Sequence, residues 1–406
     1  MRSRLFLFLS KKDYNFESLA EQKKIKLCKS QILMNSLSSP EIREKSSSQR
    51  YEGLDAFRGF AAFGVVWLHT VIWGTANLDG PSRQAITWLK LRDFSLPLIV
   101  MSSFFVLTIS ILRKPESKFS GFFTTRFKRL WIPLFIWTSV YCLVYAFVMP
   151  QYFESTSLVQ TPTVGVFIGG YMHLWFLQFI FLGSLIVYPV LCWLRNKSEP
   201  ERTKIAFSFF LAAGVYAIIF KLFIQTINLQ NLLQIKPGQS LIAFIGQSTK
   251  YFFFIPIAVG LGLLSDKINN LFKQNIFRIC SLIAVLFSLI LHLTLGLIAV
   301  TAPMYGIAVF IAALQPWKRI PFRLVYISAA YSYGIYILHF FLCVALHVLV
   351  IRGNHEFDSA ALFSISVLFY VMSFGAAVLL RKMIPVDWFI PLVPVGLKMS
   401  EKKRNS

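Results

Sequence analysis

The sequence predicts an all-α protein, a polytopic membrane helix bundle of about ten transmembrane helices with both termini cytoplasmic. Three observations carry this reading. Of the 406 residues 56% are hydrophobic, with 41 Phe, far more apolar surface than a soluble domain of this length needs to bury. The apolar residues gather into runs long enough to cross about 30 Å of hydrocarbon as helices. The basic residues, finally, are shared unequally between alternate connecting segments.

Charged or turn-rich segments delimit the runs in order. The first covers residues 57 to 73 and stops at GTANLDGPS; the second covers 94 to 112, and the third, 130 to 149, follows the basic RFKR. The fourth and fifth, 174 to 194 and 205 to 224, are separated by RNKSEPERTK, and the sixth, 250 to 264, ends at SDK. The seventh and eighth, 276 to 294 and 296 to 314, share an uncharged stretch that breaks either near Thr294-Leu295-Gly296 or near Thr301-Ala302-Pro303. The ninth and tenth cover 324 to 351 and 360 to 380. Residues 1–50 read as a disordered basic cytoplasmic tail, 51–385 as the transmembrane domain and 386–406 as a cytoplasmic C-terminal tail. Within the first tail the run Leu5 to Leu9 is too short for a signal-peptide core, and Met34 is an alternative start.

The formal net charge of +23 invites a nucleic-acid reading, which the placement of the charge opposes. With a cytoplasmic N-terminus, the four inner loops carry sixteen Lys or Arg against five in the four outer loops, and both tails are basic. Charge therefore reports topology, with a secondary attraction to anionic head groups of the lipid bilayer. The basic tails lack interleaved aromatics, so no nucleic-acid partner is expected. Cys142, Cys192, Cys280 and Cys343 fall in different spans without a CxxC or Cys/His cluster, so neither a disulfide framework nor a metal site is expected.

Ionisable residues inside spans are functional candidates by default. Arg58 and His69, in LDAFRGFAAFGVVWLH, are eleven positions apart, which on an α-helix returns to within about 20° of the same direction after about 16 Å. Arg58 at the cytoplasmic edge also suits a snorkelling anchor. His69 lies well inside the span and must find a partner there; a neutral imidazole can accept a proton. Asp55, one turn before Arg58, orients its guanidinium or merely starts the helix. In TTRFKRLWIP, Arg126 and Arg129 share a helix face at the start of the third span, and two planar forks suit a multiply phosphorylated ligand as well as they suit a topology anchor. Ser332, Tyr336 and His339 in YSYGIYILH form a polar stripe, for chemistry or for interhelical hydrogen bonding, with His347 about 80° further round. His173 beside Trp175 reads as an interfacial anchor, and His292 and His355 as solvated or interfacial.

In order and spacing, LDAFRGFAAFGVVWLH, LPLIVMSSFFVL, RFKRLWIP, HLWFL and SYGIYILH resemble the acyltransferase 3 family of membrane acyltransferases, over about residues 50 to 385. The most specific element is Arg-x10-His, here Arg58 and His69, followed by the paired arginines. Where the family shows Ser-Gly-Phe in the second span, this chain has Ser102-Ser103-Phe104. The resemblance implies a ten-helix enzyme that moves an acyl group, commonly acetyl, from cytoplasmic acyl-coenzyme A to a hydroxyl of a cell-surface or exported glycan or glycolipid, in the bacterial inner membrane. It implies coenzyme A phosphates on Arg126, Arg129 and Arg58, and His69 near the thioester as general base or acyl carrier, the base role being favoured. A transporter or flippase of a lipid-linked sugar or small solute is the competing reading, disfavoured because the charges gather at one membrane edge.

Overall fold

The computed structural model describes residues 51–75, 83–113, 118–148, 174–226, 239–272, 274–295, 298–315, 317, 330–353 and 357–383. The expected tails, His173 and His355 lie outside them. Among the described residues the chain is helical throughout, with no strand. Nine helical segments are long and apolar enough to cross a membrane, and a shorter apolar helix in the 298–313 region brings the apolar helices to ten.

Helix α1 (Glu52–Gly74) begins with Glu52 and Asp55 in its first turn, where carboxylates favour the exposed N–H groups. After α2 (Arg83–Lys90) a turn leads into α3 (Ser95–Arg113). Helix α4 (Phe119–Arg126), a π-helical turn (Phe127–Trp131) and α5 (Ile132–Val148) follow. Then come α6 (Trp175–Arg195), α7 (Glu199–Thr226), α8 (Gln239–Phe252), α9 (Phe254–Leu263) and α10 (Ser265–Phe272). The chain continues through α11 (Asn275–Thr294), α12 (Ile298–Ala313), α13 (Ser332–Gly353) and α14 (Ser359–Met383).

One boundary left open in the sequence is resolved and another moves. The uncharged stretch breaks at the first of its two alternatives, and helix α12 runs through Thr301-Ala302-Pro303. The third span starts at Phe119 instead of 130, because Phe122 stacks on Tyr188 and both Phe127 and Trp131 pack on Phe181 of α6. Arg126 and Arg129 thus lie within a continuous helical stretch, not at its mouth. Pro133 accounts for the widened turn before it: it has no N–H for the carbonyl of Arg129 and its ring crowds that carbonyl.

Helix α1 sits against α3, α12, α13 and α14, while α3 also packs on α6 and α9. Close approach comes from small residues: Ala56, Ala61 and Ala62 are buried, and any Cβ at Gly64 would meet Ser95 and the Cβ of Arg92. The Tyr370 hydroxyl of α14 donates to the Gly59 carbonyl of α1 at 3.0 Å. Away from this centre, α7, α11 and α14 present exposed Leu211, Ile218, Ile283, Phe287 and Leu379, the side chains a lipid-facing helix carries.

Candidate active site

The polar residues of α1 and α13 meet where the two helices pack. His69 Nδ1 lies 2.7 Å from His339 Nε2, with ring planes 11° apart, so the contact runs close to both ring planes as an in-plane lone pair requires. On its other side His339 Nδ1 is 3.0 Å from the Ile335 carbonyl. That oxygen can only accept, so in the neutral ring His339 Nδ1 carries the proton and Nε2 accepts. His69 Nδ1 must then donate, which leaves the basic lone pair of His69 on Nε2. His339 is fully buried, whereas His69 is half-buried and retains surface. His339 is thus the enclosed member of the pair and His69 the one with surface.

The pair is framed by aromatic side chains. Phe340 meets His69 edge-on at 6.0 Å, and Tyr336 lies one turn before His339 with ring centroids 6.2 Å apart. His347, buried, packs on Trp73 of α1 at 4.5 Å. From α5, the Tyr141 hydroxyl donates to the Ile337 carbonyl, and its ring stacks on Phe341 at 4.8 Å. These contacts fix the rotation of α13 and hence where His339 points. Ser332, half-buried at the first turn of α13, makes no side-chain hydrogen bond among the described residues.

A half-buried imidazole held in one tautomer by a buried partner is suited to taking a proton from, or forming a bond to, a bound substrate. Residues 51–382 match the family model of acyltransferase 3, described as an acyltransferase domain. The chain belongs to the acyltransferase 3 family. It is therefore a multi-pass membrane acyltransferase in its coarse function. No curated protein and no solved structure matches it.

In this acyltransferase 3 chain the arginines form separate groups. Arg58 is half-buried on α1 with the Asp55 charge acting on it. Arg126 and Arg129 influence one another electrostatically, and Arg126 lies over the Phe122 ring at 5.6 Å. Arg129 is exposed, and the π-helical turn that contains it alters the face the pair would share on a regular helix. The serines that depart from the family pattern satisfy themselves locally: Ser102 and Ser103 donate to the carbonyls of Leu98 and Ile99. Phe104, which follows them, packs on Gly183 of α6, so close approach occurs there without a glycine at Ser103.

The expectation for His292 needs correction. It is fully buried: Nε2 contacts an Asp93 carboxylate oxygen at 2.9 Å and Nδ1 the Thr301 hydroxyl at 2.8 Å. Asp93 also pairs with Arg92 at 3.1 Å, on the turn between α2 and α3 that packs on Gly64. In sequence these residues fall at the margin of a connecting segment and at the end of an apolar run, and the 199 positions between Asp93 and His292 hide their contact. The adjacent Arg92-Asp93 pair at the margin of a span was the available signal. Among the described residues, no group of three or more His, Cys, Asp or Glu is arranged to hold a metal ion.

Proposed function

We propose that this protein transfers an acyl group, acetyl in the simplest case, from cytoplasmic acyl-coenzyme A to a hydroxyl of a cell-surface or exported glycan or glycolipid. The observation that supports this best is the His69–His339 pair, which directs the basic nitrogen of a half-buried imidazole away from its support. In the proposed reaction His69 takes the acceptor's hydroxyl proton as that oxygen attacks the thioester carbon, and His339 keeps the ring in the required tautomer. Arg58, Arg126 and Arg129 bind the phosphates of coenzyme A, with Asp55 orienting Arg58. Tyr336 and Ser332 support the acceptor side of α13.

The topology we propose puts both termini, the tails 1–50 and 386–406 and the donor arginines in the cytoplasm of a bacterial cell, with the protein in its inner membrane. His69 lies five residues before the end of α1, about 8 Å along the axis, which brings the chemistry toward the outer face. Membranes containing the wild type, His69→Ala or Arg58→Ala, supplied with labelled acetyl-coenzyme A, test the reading. Label should enter the envelope fraction with the wild type alone; a wild type that transfers none overturns the proposal. Acid-quenched samples separate the roles of His69, because label that stays on the protein and vanishes in His69→Ala indicates an acyl carrier instead of a base.

A further inference from the structure

Arg92 and Asp93, half-buried, and His292 and Thr301, buried, form a polar chain that the proposed roles leave unused. Asp93 is held from two sides, by Arg92 at 3.1 Å and by His292 at 2.9 Å, and His292 is held in turn by Thr301 on α12. Tyr305 of α12 donates to the Leu91 carbonyl at 3.1 Å and Lys90 reaches the Leu293 carbonyl at 3.4 Å, so the turn carrying Arg92 is tied to α11 and α12 at several points. These ties fix a guanidinium.

The same turn faces the reactive helix. The Cβ of Arg92 lies against Gly64, five residues before His69, and its charge acts on the His69 ring. Arg92 Nε is buried and makes no hydrogen bond among the described residues. A desolvated N–H without an acceptor is costly, so its presence on a turn packed against the helix that carries His69 needs a reason. An anion that exists only during the reaction supplies one.

We infer that Arg92 is a further catalytic residue of the proposed acyl transfer, its guanidinium stabilising the oxyanion that develops on the acyl carbonyl, with Asp93 and His292 as positioning residues. The inference rests on the reading of the protein as an acyl-coenzyme A transferase. In the first step the acceptor oxygen forms a bond to the thioester carbon, its proton passes to His69 Nε2, and the carbonyl π pair moves onto oxygen beside Arg92. In the second, the carbonyl re-forms, the carbon–sulfur bond breaks, and the thiolate takes the proton back from His69 to leave as the coenzyme A thiol. Because Asp93 balances Arg92 in the resting site, a neutral thioester gains little from the guanidinium and a negative oxygen gains much. That difference is what lowers a barrier.

The test uses the full chain in native membranes with acetyl-coenzyme A and the endogenous acceptor, and compares Arg92→Gln with Arg92→Lys. Removing an oxyanion donor lowers kcat by about 10²–10³-fold, so Arg92→Gln should lose that much with the KM for acetyl-coenzyme A little changed. Arg92→Lys, which restores a cation, should recover a clear part of the loss. Asp93→Asn and His292→Gln should lower kcat less, and add little on top of Arg92→Gln. Undiminished kcat in Arg92→Gln, equal losses in the glutamine and lysine variants, or a defect confined to KM would each overturn the inference. If glutamine prevents accumulation of the protein, the lysine variant decides: it should show reduced kcat at unchanged KM, and a defect in KM alone refutes the role. A wild type inactive with acetyl-coenzyme A removes the functional reading and this inference together, whereas an active wild type with an equally active Arg92→Gln removes only the inference.

Discussion

The two histidine sites, one between α1 and α13 and one between α11 and the turn before α3, are built differently. His292 is engaged on both ring nitrogens by groups of its own protein, a carboxylate at 2.9 Å and a hydroxyl at 2.8 Å, and it is fully buried. Such a ring ties elements together. His69 uses one nitrogen to donate to His339, whose second nitrogen is committed to a carbonyl, and it keeps exposed surface. Its hydrogen bond to His339 sets a tautomer with the basic lone pair on Nε2. Burial and polar contact alone therefore do not separate the two rings; the direction in which the protons must run does, and it supports the role proposed for His69.

Substitution should separate the two sites in both rate and stability. The largest effect is expected for His69→Gln, a loss of about 10²–10⁴-fold in acetyl transfer, the range for removal of a general base. Its thermal transition should stay near that of the wild type, since no buried partner is left with an unmet charge. Transfer within a few-fold of wild type would move the reactive role elsewhere. His339→Leu comes next. It deletes the acceptor of the His69 Nδ1 proton and so releases the tautomer, at an expected loss of about 10- to 100-fold, below the roughly 10⁴-fold seen where an ionised carboxylate holds a catalytic imidazole. Steady-state rates in membranes, normalised to folded protein, read both effects.

The contrast between the sites also marks what the sequence reveals. Periodicity and hydropathy are enough for the spans, and the eleven-residue spacing is enough to single out Arg58 and His69, because both depend on local helix geometry. His339 stood out as part of a polar stripe, but its pairing with His69 joins residues 270 positions apart and depends on how α1 and α13 pack. His292 was misread for a related reason: it sits where a span meets a connecting segment, and only the tertiary fold brings Asp93 and Thr301 to it. The early start of α4 was hidden because FSGFFTTRF has little hydropathic contrast with a loop, and its aromatic packing on α6 decides the matter.

At the second site rate and stability should fall together. His292→Leu leaves the half-buried Asp93 carboxylate without one of its two partners, a loss of about 1 kcal/mol for a partly solvated acceptor. A lower thermal transition in detergent, with a fall in transfer smaller than that of His339→Leu, is the expected result. Unchanged stability would show that the His292–Asp93 contact contributes little to holding the turn.

Two glycines give the smallest and sharpest contrast, because the same substitution meets opposite surroundings. At Gly64 a new Cβ would stand about as close as 3.1 Å to the Cβ of Arg92 and closer still to the Ser95 hydroxyl, so the turn between α2 and α3 must shift away from α1. Overpacking of this kind costs about 1–3 kcal/mol, and here it also shifts the turn that carries Arg92. At Gly121, on α4, a Cβ meets nothing within 4 Å. Alanine there removes backbone freedom from the unfolded chain and favours the helix by up to about 1 kcal/mol. Gly64→Ala should therefore lower both the thermal transition and the transfer rate, while Gly121→Ala raises the first slightly and leaves the second alone. If Gly64→Ala loses stability but keeps its rate, the close approach of the Arg92 turn serves packing only, and the two histidine sites act independently.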